Sequence, residues 1–166
     1  MLFMGIDPGL NKTGVGIIFA DRNKVEYVAH RLITTKAADP LPVRLGALVN
    51  GITEIAVEHK IDMGAIEDIF HSVNTKSALL LGQARGALIA AMITHNIPVK
   101  EFTALQIKKA VTGYGKAEKE QVKKLVELQL NIVVKGGVPL DVTDGLACAL
   151  CLAYHETRGF SFWFIN

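Results

Sequence analysis

The chain has 166 residues, half of them hydrophobic and 20% charged, with a formal net charge of +2. That length and apolar content suit one domain with a real core, and the lack of acidic or basic blocks excludes a disordered charged tail and low-complexity segments. A slightly positive balance permits nucleic-acid binding without demanding it, so the placement of the charges has to decide.

Residues 2–6 form an apolar run that ends on Asp7, turns at Pro8-Gly9 and resumes as a second apolar run from Val15 to Phe19. This predicts a β-hairpin with Asp7 at the end of its first strand, although Asp-Pro-Gly is also ordinary turn chemistry. No basic region precedes the run and Asp7-Pro8-Gly9 breaks it, so it reads as neither a signal peptide nor a spanning helix. A soluble, cytoplasmic protein is expected.

Residues 24–33 alternate loosely and predict a third antiparallel strand near an edge, followed by a loop over 34–42. Leu45, Leu48, Val49, Ile52, Ile55 and Ala56 then keep the helical period, predicting an amphipathic helix over 43–59 that covers one sheet face. A short fourth strand over 61–67 ends on Glu67. A three-strand meander followed by helix and strand implies a mixed sheet with a crossover.

Residues 75–95 predict the most apolar helix, with hydrophobic side chains almost all round, as expected for a helix buried on more than one side. Its Gly82, Gly86 and Ala90 form a ladder of small residues open to close approach by another helix, of this chain or of a second copy. A fifth strand follows over 98–102, with Pro98 at its start, where a missing N–H is tolerated.

A short helix over 103–110, a glycine turn at 112–116 and a helix over 117–130 come next. Six lysines fall within the seventeen residues from Lys108 to Lys124, with Tyr114 among them. Solvated helix faces carry lysine routinely, but clustering around a glycine turn with an aromatic also suits phosphate tracking. After a loop over 132–140, residues 141–154 predict a final, strongly buried helix. It contains Cys148 and Cys151, which read as core thiols because no paired Cys/His set accompanies them.

Asp141 and Asp144 lie three apart, on one face of that helix at its N-terminal end, where capping and the helix dipole alone could account for them. Asp7 and Glu67 each close a core strand, and ligand sites in open sheets gather at such strand ends. If the last helix starts beside those strand ends, four carboxylates converge. Like charges that close raise a pKa or hold a cation, and carboxylate oxygens select Mg2+ or Mn2+ over zinc. Two such ions, about 4 Å apart, serve phosphodiester hydrolysis.

Several segments in order carry a resemblance that covers residues 2–155: Gly5-Ile6-Asp7-Pro8-Gly9, Ile66-Glu67-Asp68-Ile69-Phe70, the run from Ser77 through Gly82-Gln83-Ala84-Arg85-Gly86, and Thr112-Gly113-Tyr114-Gly115-Lys116-Ala117-Glu118-Lys119. Together they resemble the RuvC family of bacterial Holliday junction resolvases. The resemblance implies an α/β, ribonuclease H-like fold with a five-stranded mixed sheet flanked by helices. It also implies a homodimer making paired, Mg2+-dependent nicks in four-way DNA junctions, with Mn2+ as substitute, two ions per site, and RuvA and RuvB as branch-migration partners. On the matching positions, Asp7, Glu67, Asp141 and Asp144 are catalytic metal ligands. Phe70, Lys108, Tyr114, Lys116 and Lys119 are the DNA-binding set.

Members of the family differ at the position of Asp141, where histidine occurs, and His71-Ser72-Val73 departs from the usual loop. Residues 1–157 are expected to form the nuclease domain; the tail over 158–166 lies outside the resemblance and holds four of the chain's eleven aromatics. Arg85, in a largely buried helix, is expected to find a salt-bridge partner. Two competing readings stand beside the nuclease. One is a junction-binding scaffold of the same fold that does not cut. The other is a fragment of an actin-like sugar kinase or ATPase, suggested by the opening motif and disfavoured by the chain's length.

Overall fold

A computed structural model describes residues 1–68, 75–132 and 138–157. Five strands, β1 (Leu2–Asp7), β2 (Lys12–Ala20), β3 (Val25–Thr34), β4 (Met63–Asp68) and β5 (Val99–Thr103), form one sheet in the order β3-β2-β1-β4-β5. The first three are an antiparallel meander, while β4 and β5 run parallel to β1. The crossovers between parallel strands are helices α1 (Leu41–Glu58) and α2 (Thr75–Thr94). The shorter α3 (Ala104–Thr112) and α4 (Lys119–Gln129) then lead to α5 (Leu140–Thr157).

Side-chain alternation divides the core. Met4, Ile6, Val15, Ile17 and Ile66 pack with α1 and α2 on one face. Phe3, Ile18 and Ala65 pack with α3, α4 and α5 on the other. Helix α5 lies against β1 and β2 backbone to backbone. A Cβ on Gly5 would fall 2.1 Å from the Ala149 nitrogen, one on Gly14 1.8 Å from the Asp141 carbonyl oxygen, and one on Gly145 2.7 Å from the Gly14 carbonyl oxygen. Glycine inside a strand serves such close approaches, and here it brings the first turns of α5 down onto the sheet.

The loop after β1 is tied down locally. Thr13, fully buried, donates its hydroxyl to the Gly9 carbonyl at 2.6 Å. Arg44 of α1 reaches across to the Asn11 side-chain carbonyl and to Thr35 Oγ1. Asp7 therefore leaves β1 on a braced turn rather than a free one.

All ten expected elements are present, with ends within three residues of expectation and β3 at an edge. Helix α2 is the correction: it is buried on one side only, through Ala84, Leu88, Ala91 and Met92. Its outward face carries Leu79 at 63% and Ile93 at 58% exposure, and added side chains at Gly82 and Gly86 would meet nothing. By length and composition α2 could cross a membrane, with a mean hydropathy of 1.4 over its apolar window. Its all-round hydrophobicity implied burial on more than one side, but a single chain supplies neighbours for only one. The loop expected at 132–140 falls partly, and the aromatic tail at 158–166 entirely, outside the described residues.

Candidate active site

Asp7 and Glu67 occupy equivalent places on neighbouring parallel strands, each one residue beyond the paired Ile6 and Ile66. Those isoleucines face α1 and α2, so alternation turns both carboxylates to the α5 side of the sheet. Asp144 arrives there from the second turn of α5. A cleft of about 180 Å3 results, lined by Asp7, Glu67 and Asp144 together with Lys108 of α3 and Lys119 of α4. Asp141, whose backbone abuts Gly14, is not among its lining residues.

Burial, then the charge of Asp144, then Glu67 and more weakly Asp141, push the Asp7 carboxyl up to about 7. Burial and Asp144 also raise Glu67, against the lowering influence of Lys119 and Lys108. Lys119 donates to Asp144 Oδ2 at 2.9 Å, and that bond raises the lysine in turn. Among the described residues, no three acidic, histidine or cysteine side chains close on a common point. Asp7, Glu67 and Asp144 share one cleft. The Lys119 ammonium acts on all three acids of the cleft, through its bond to Asp144 first and through the charges of Asp7 and Glu67 as well.

These residues fit a divalent ion. The donors are all hard carboxylate oxygens, Asp7 is driven toward its neutral form by burial and then by the charges of Asp144 and Glu67 despite Lys119, and the Lys119 ammonium already pairs with Asp144.

The expected nucleic-acid residues divide. Lys108 and Lys119 line the acidic cleft, whereas Tyr114 and Lys116 stand on the turn after α3, exposed and away from it. A left-handed Gly113, with φ 78°, makes that turn. Lys123, counted in the basic run, instead donates to the Val138 carbonyl at 3.0 Å and ties α4 to the start of α5. Phe70 lies outside the described residues. Arg85 finds the expected salt bridges, with Glu101 and Asp68, and its Nε also donates to the Glu67 carbonyl at 3.2 Å. Sequence reasoning missed Gly5, Gly14, Gly16 and Gly145, which seat α5. Glycines at alternate positions within an apolar strand were the available signal. A larger cleft, of about 440 Å3, lies beside Lys24, Gln129 and Tyr154 and has no carboxylate in its lining.

The model of the family described as crossover junction endodeoxyribonuclease RuvC matches residues 3–152. The crossover junction endodeoxyribonuclease RuvC of Paraburkholderia phytofirmans is 47% identical over 158 residues, 95% of this chain and 86% of that protein. That of Burkholderia mallei is 46% identical over 154 residues, 93% of this chain and 84% of that protein. Among solved structures, T. thermophilus RuvC in complex with Holliday junction substrate superposes with a TM-score of 0.89 at 28% identity, covering 96% of each chain. A ribonuclease H-like sheet with an acidic cleft at its strand ends, and relatives matching over nearly the whole length, lead to one assignment: the chain belongs to the RuvC family of crossover junction endodeoxyribonucleases.

Proposed function

We propose that this protein resolves four-way DNA junctions by metal-dependent phosphodiester hydrolysis, making a symmetric pair of nicks in recombination and repair in the cytoplasm. The observation that carries this reading is the cleft in which Asp7, Glu67 and Asp144 meet Lys108 and Lys119. A site for backbone hydrolysis needs carboxylates for metal beside cations for phosphate, and one opening offers both. Asp7, Glu67 and Asp144, with Asp141 at the margin, would hold Mg2+ or Mn2+, two ions per site, supplying water activation and charge stabilisation at the departing oxygen.

The chain's own groups prepare that chemistry. Asp7 has to release its proton to act as a ligand. Lys119 holds Asp144 and, as it lines the same cleft, would also be able to contact a phosphodiester placed there. Lys108, lining the same cleft, adds a second phosphate contact, Tyr114 and Lys116 extend the DNA surface beyond the cleft, and Phe70 joins the DNA-binding set by family resemblance alone.

Two symmetric nicks call for two related sites. The outward stripe Leu79, Gly82, Gly86, Ala90 and Ile93 on α2 suits an isologous homodimer, because small residues on both helices admit close approach while Leu79 and Ile93 are covered. Cooperation with RuvA and RuvB belongs to the same reading and rests on family resemblance.

Nicking of a synthetic four-way junction with Mg2+ tests the proposal, with junction affinity and melting temperature measured alongside. Glu67→Gln and Asp144→Asn keep shape but remove charge, so cutting is expected to fall by about a thousandfold or more with binding retained. Asp141→Asn should cost less, as its carboxylate stands outside the cleft lining. A Glu67→Gln protein that cuts within a few-fold of the parent overturns the metal site, and a parent that binds junctions without cutting supports the scaffold reading instead.

A further inference from the structure

The end of β4 serves a different purpose on each face of the sheet. On the α5 face it presents Glu67 to the cleft. On the opposite face, Ile66 and Asp68 of β4 stand beside Glu101 and Thr103 of β5, and Arg85 of α2 lies across them. The Arg85 guanidinium pairs with the Glu101 carboxylate through Nη2, approaches Asp68 Oδ1 at 3.5 Å with the same nitrogen, and uses Nε to donate to the Glu67 main-chain carbonyl at 3.2 Å. Its side chain is only 16% exposed.

The carbonyl bond is the unusual member of this set. A surface ion pair needs only the two charges, and it contributes little to stability. A fork that also takes a main-chain oxygen fixes the orientation of that peptide, and the peptide belongs to the residue whose side chain faces the cleft. The register with β1 ends at Ile66 while that with β5 runs on to Asp68, so this last stretch of strand is paired on the β5 side and contacted by Arg85.

We infer that Arg85 is a positioning residue for the acidic cleft: by holding the Glu67 peptide from behind, it sets the placement of the Glu67 carboxylate, and it does so from the helix that carries the exposed α2 stripe. This rests on the metal-site reading of Glu67. Partners one step removed from a ligand typically alter metal affinity by about 10-fold to 100-fold, and Arg85 acts through the main chain rather than through the carboxylate, so an effect near the lower end is expected.

Two substitutions separate positioning from simple ion pairing. Arg85→Lys keeps a cation against Glu101 and Asp68 but replaces the fork by a single ammonium, which removes the Nε donor to the Glu67 carbonyl. Glu101→Gln removes the ion pair and leaves the carbonyl bond. The probe is Mn2+ alone, titrated calorimetrically into the full-length protein without DNA, with Mg2+ half-saturation of junction nicking and melting temperature as companion readouts. Arg85→Lys is expected to weaken Mn2+ binding by about tenfold and to raise the Mg2+ requirement in parallel, with junction affinity unchanged. Glu101→Gln is expected to leave Mn2+ affinity within about twofold, since exposed pairs contribute little.

Glu67→Gln serves as the reference. If it abolishes Mn2+ binding while Arg85→Lys matches the parent, the positioning role is overturned and the metal site stands. If Glu101→Gln weakens Mn2+ binding as much as Arg85→Lys does, ion pairing alone accounts for the effect and the role is again overturned. If Glu67→Gln binds Mn2+ like the parent, it is the metal-site reading that has failed.

Discussion

Helices α5 and α2 are both long, apolar and glycine-bearing, yet the sheet treats them in opposite ways. Eleven residues of α5 are buried, and its Gly145 meets strand glycines at backbone distance. Four residues of α2 are buried, and its Gly82 and Gly86 face open space. The same residue type thus marks a finished contact in one helix and an unfilled one in the other. Composition alone does not separate them, because a glycine's meaning depends on what stands opposite its missing Cβ.

The sharpest way to break that comparison is to add one methyl group to each side. Gly14→Ala puts a Cβ on the Asp141 carbonyl and has to lift the start of α5, at a cost of ~3 kcal/mol or more, with the acidic cleft disrupted as well. Chemical denaturation and Mn2+ binding both read this. A Gly14→Ala protein with parental stability would mean that α5 does not rest on β2 as described.

Next in size is the effect of pH on the α5 side. The Asp7 carboxyl titrates at about 7 in the folded protein, against 3.8 for the unperturbed group. Between those values the native state holds a proton that the unfolded chain has released, so metal-free stability falls as pH rises from about 4 to 7 and stays low above that. The loss is on the order of a few kcal/mol. Added Mg2+ should restore more stability at pH 8 than at pH 5, because at pH 8 there is no proton to displace. Thermal melts across this range, with and without Mg2+, check it, and Asp7→Asn should flatten the metal-free profile. A parent profile already flat between pH 5 and pH 8 would show that burial and the neighbouring carboxylates do not raise Asp7.

On α2 the counterpart of Gly14→Ala has the opposite sign for the isolated chain. Gly86→Ala meets no atom, so helix propensity should add ~0.5–1 kcal/mol of monomer stability, while the extra methyl groups on paired helices weaken self-association. Sedimentation equilibrium beside a melting curve at low concentration separates the two effects. Unchanged association would remove the α2 stripe as the dimer contact.

The smallest expected effect lies in the salt dependence of binding. Lys108→Ala should lower the slope of log affinity against log salt by about one, the increment for a single cation neutralising one phosphate. A parental slope would leave Lys108 with the single role of a cation beside Glu67.

Much of the molecule was legible along the chain. The apolar runs of β1 and β2, the alternation in β3, the helical period of α1 and the turn residues around Asp7 and Gly113 are local signals, and each expresses a preference the backbone has before it folds. The acids at strand ends and at the start of the last helix were visible for the same reason. Other features depended on which elements meet. The contact of α5 with Gly5, Gly14 and Gly16 joins segments more than 120 residues apart, and it is this contact that brings Asp144 beside Asp7. Lys119 against Asp144, Lys123 against Val138 and Arg85 behind Glu67 are likewise chosen by neighbours in space, so a run of lysines that looks uniform in sequence separates into a carboxylate partner and a helix tether. The chain by itself determined which residues could bear charge and which segments would become strand or helix, because those properties are set within a few residues. Only the tertiary structure decided which charges share a cleft and which apolar face stays uncovered, because desolvation, Coulomb energy and packing depend on distances that sequence order does not contain.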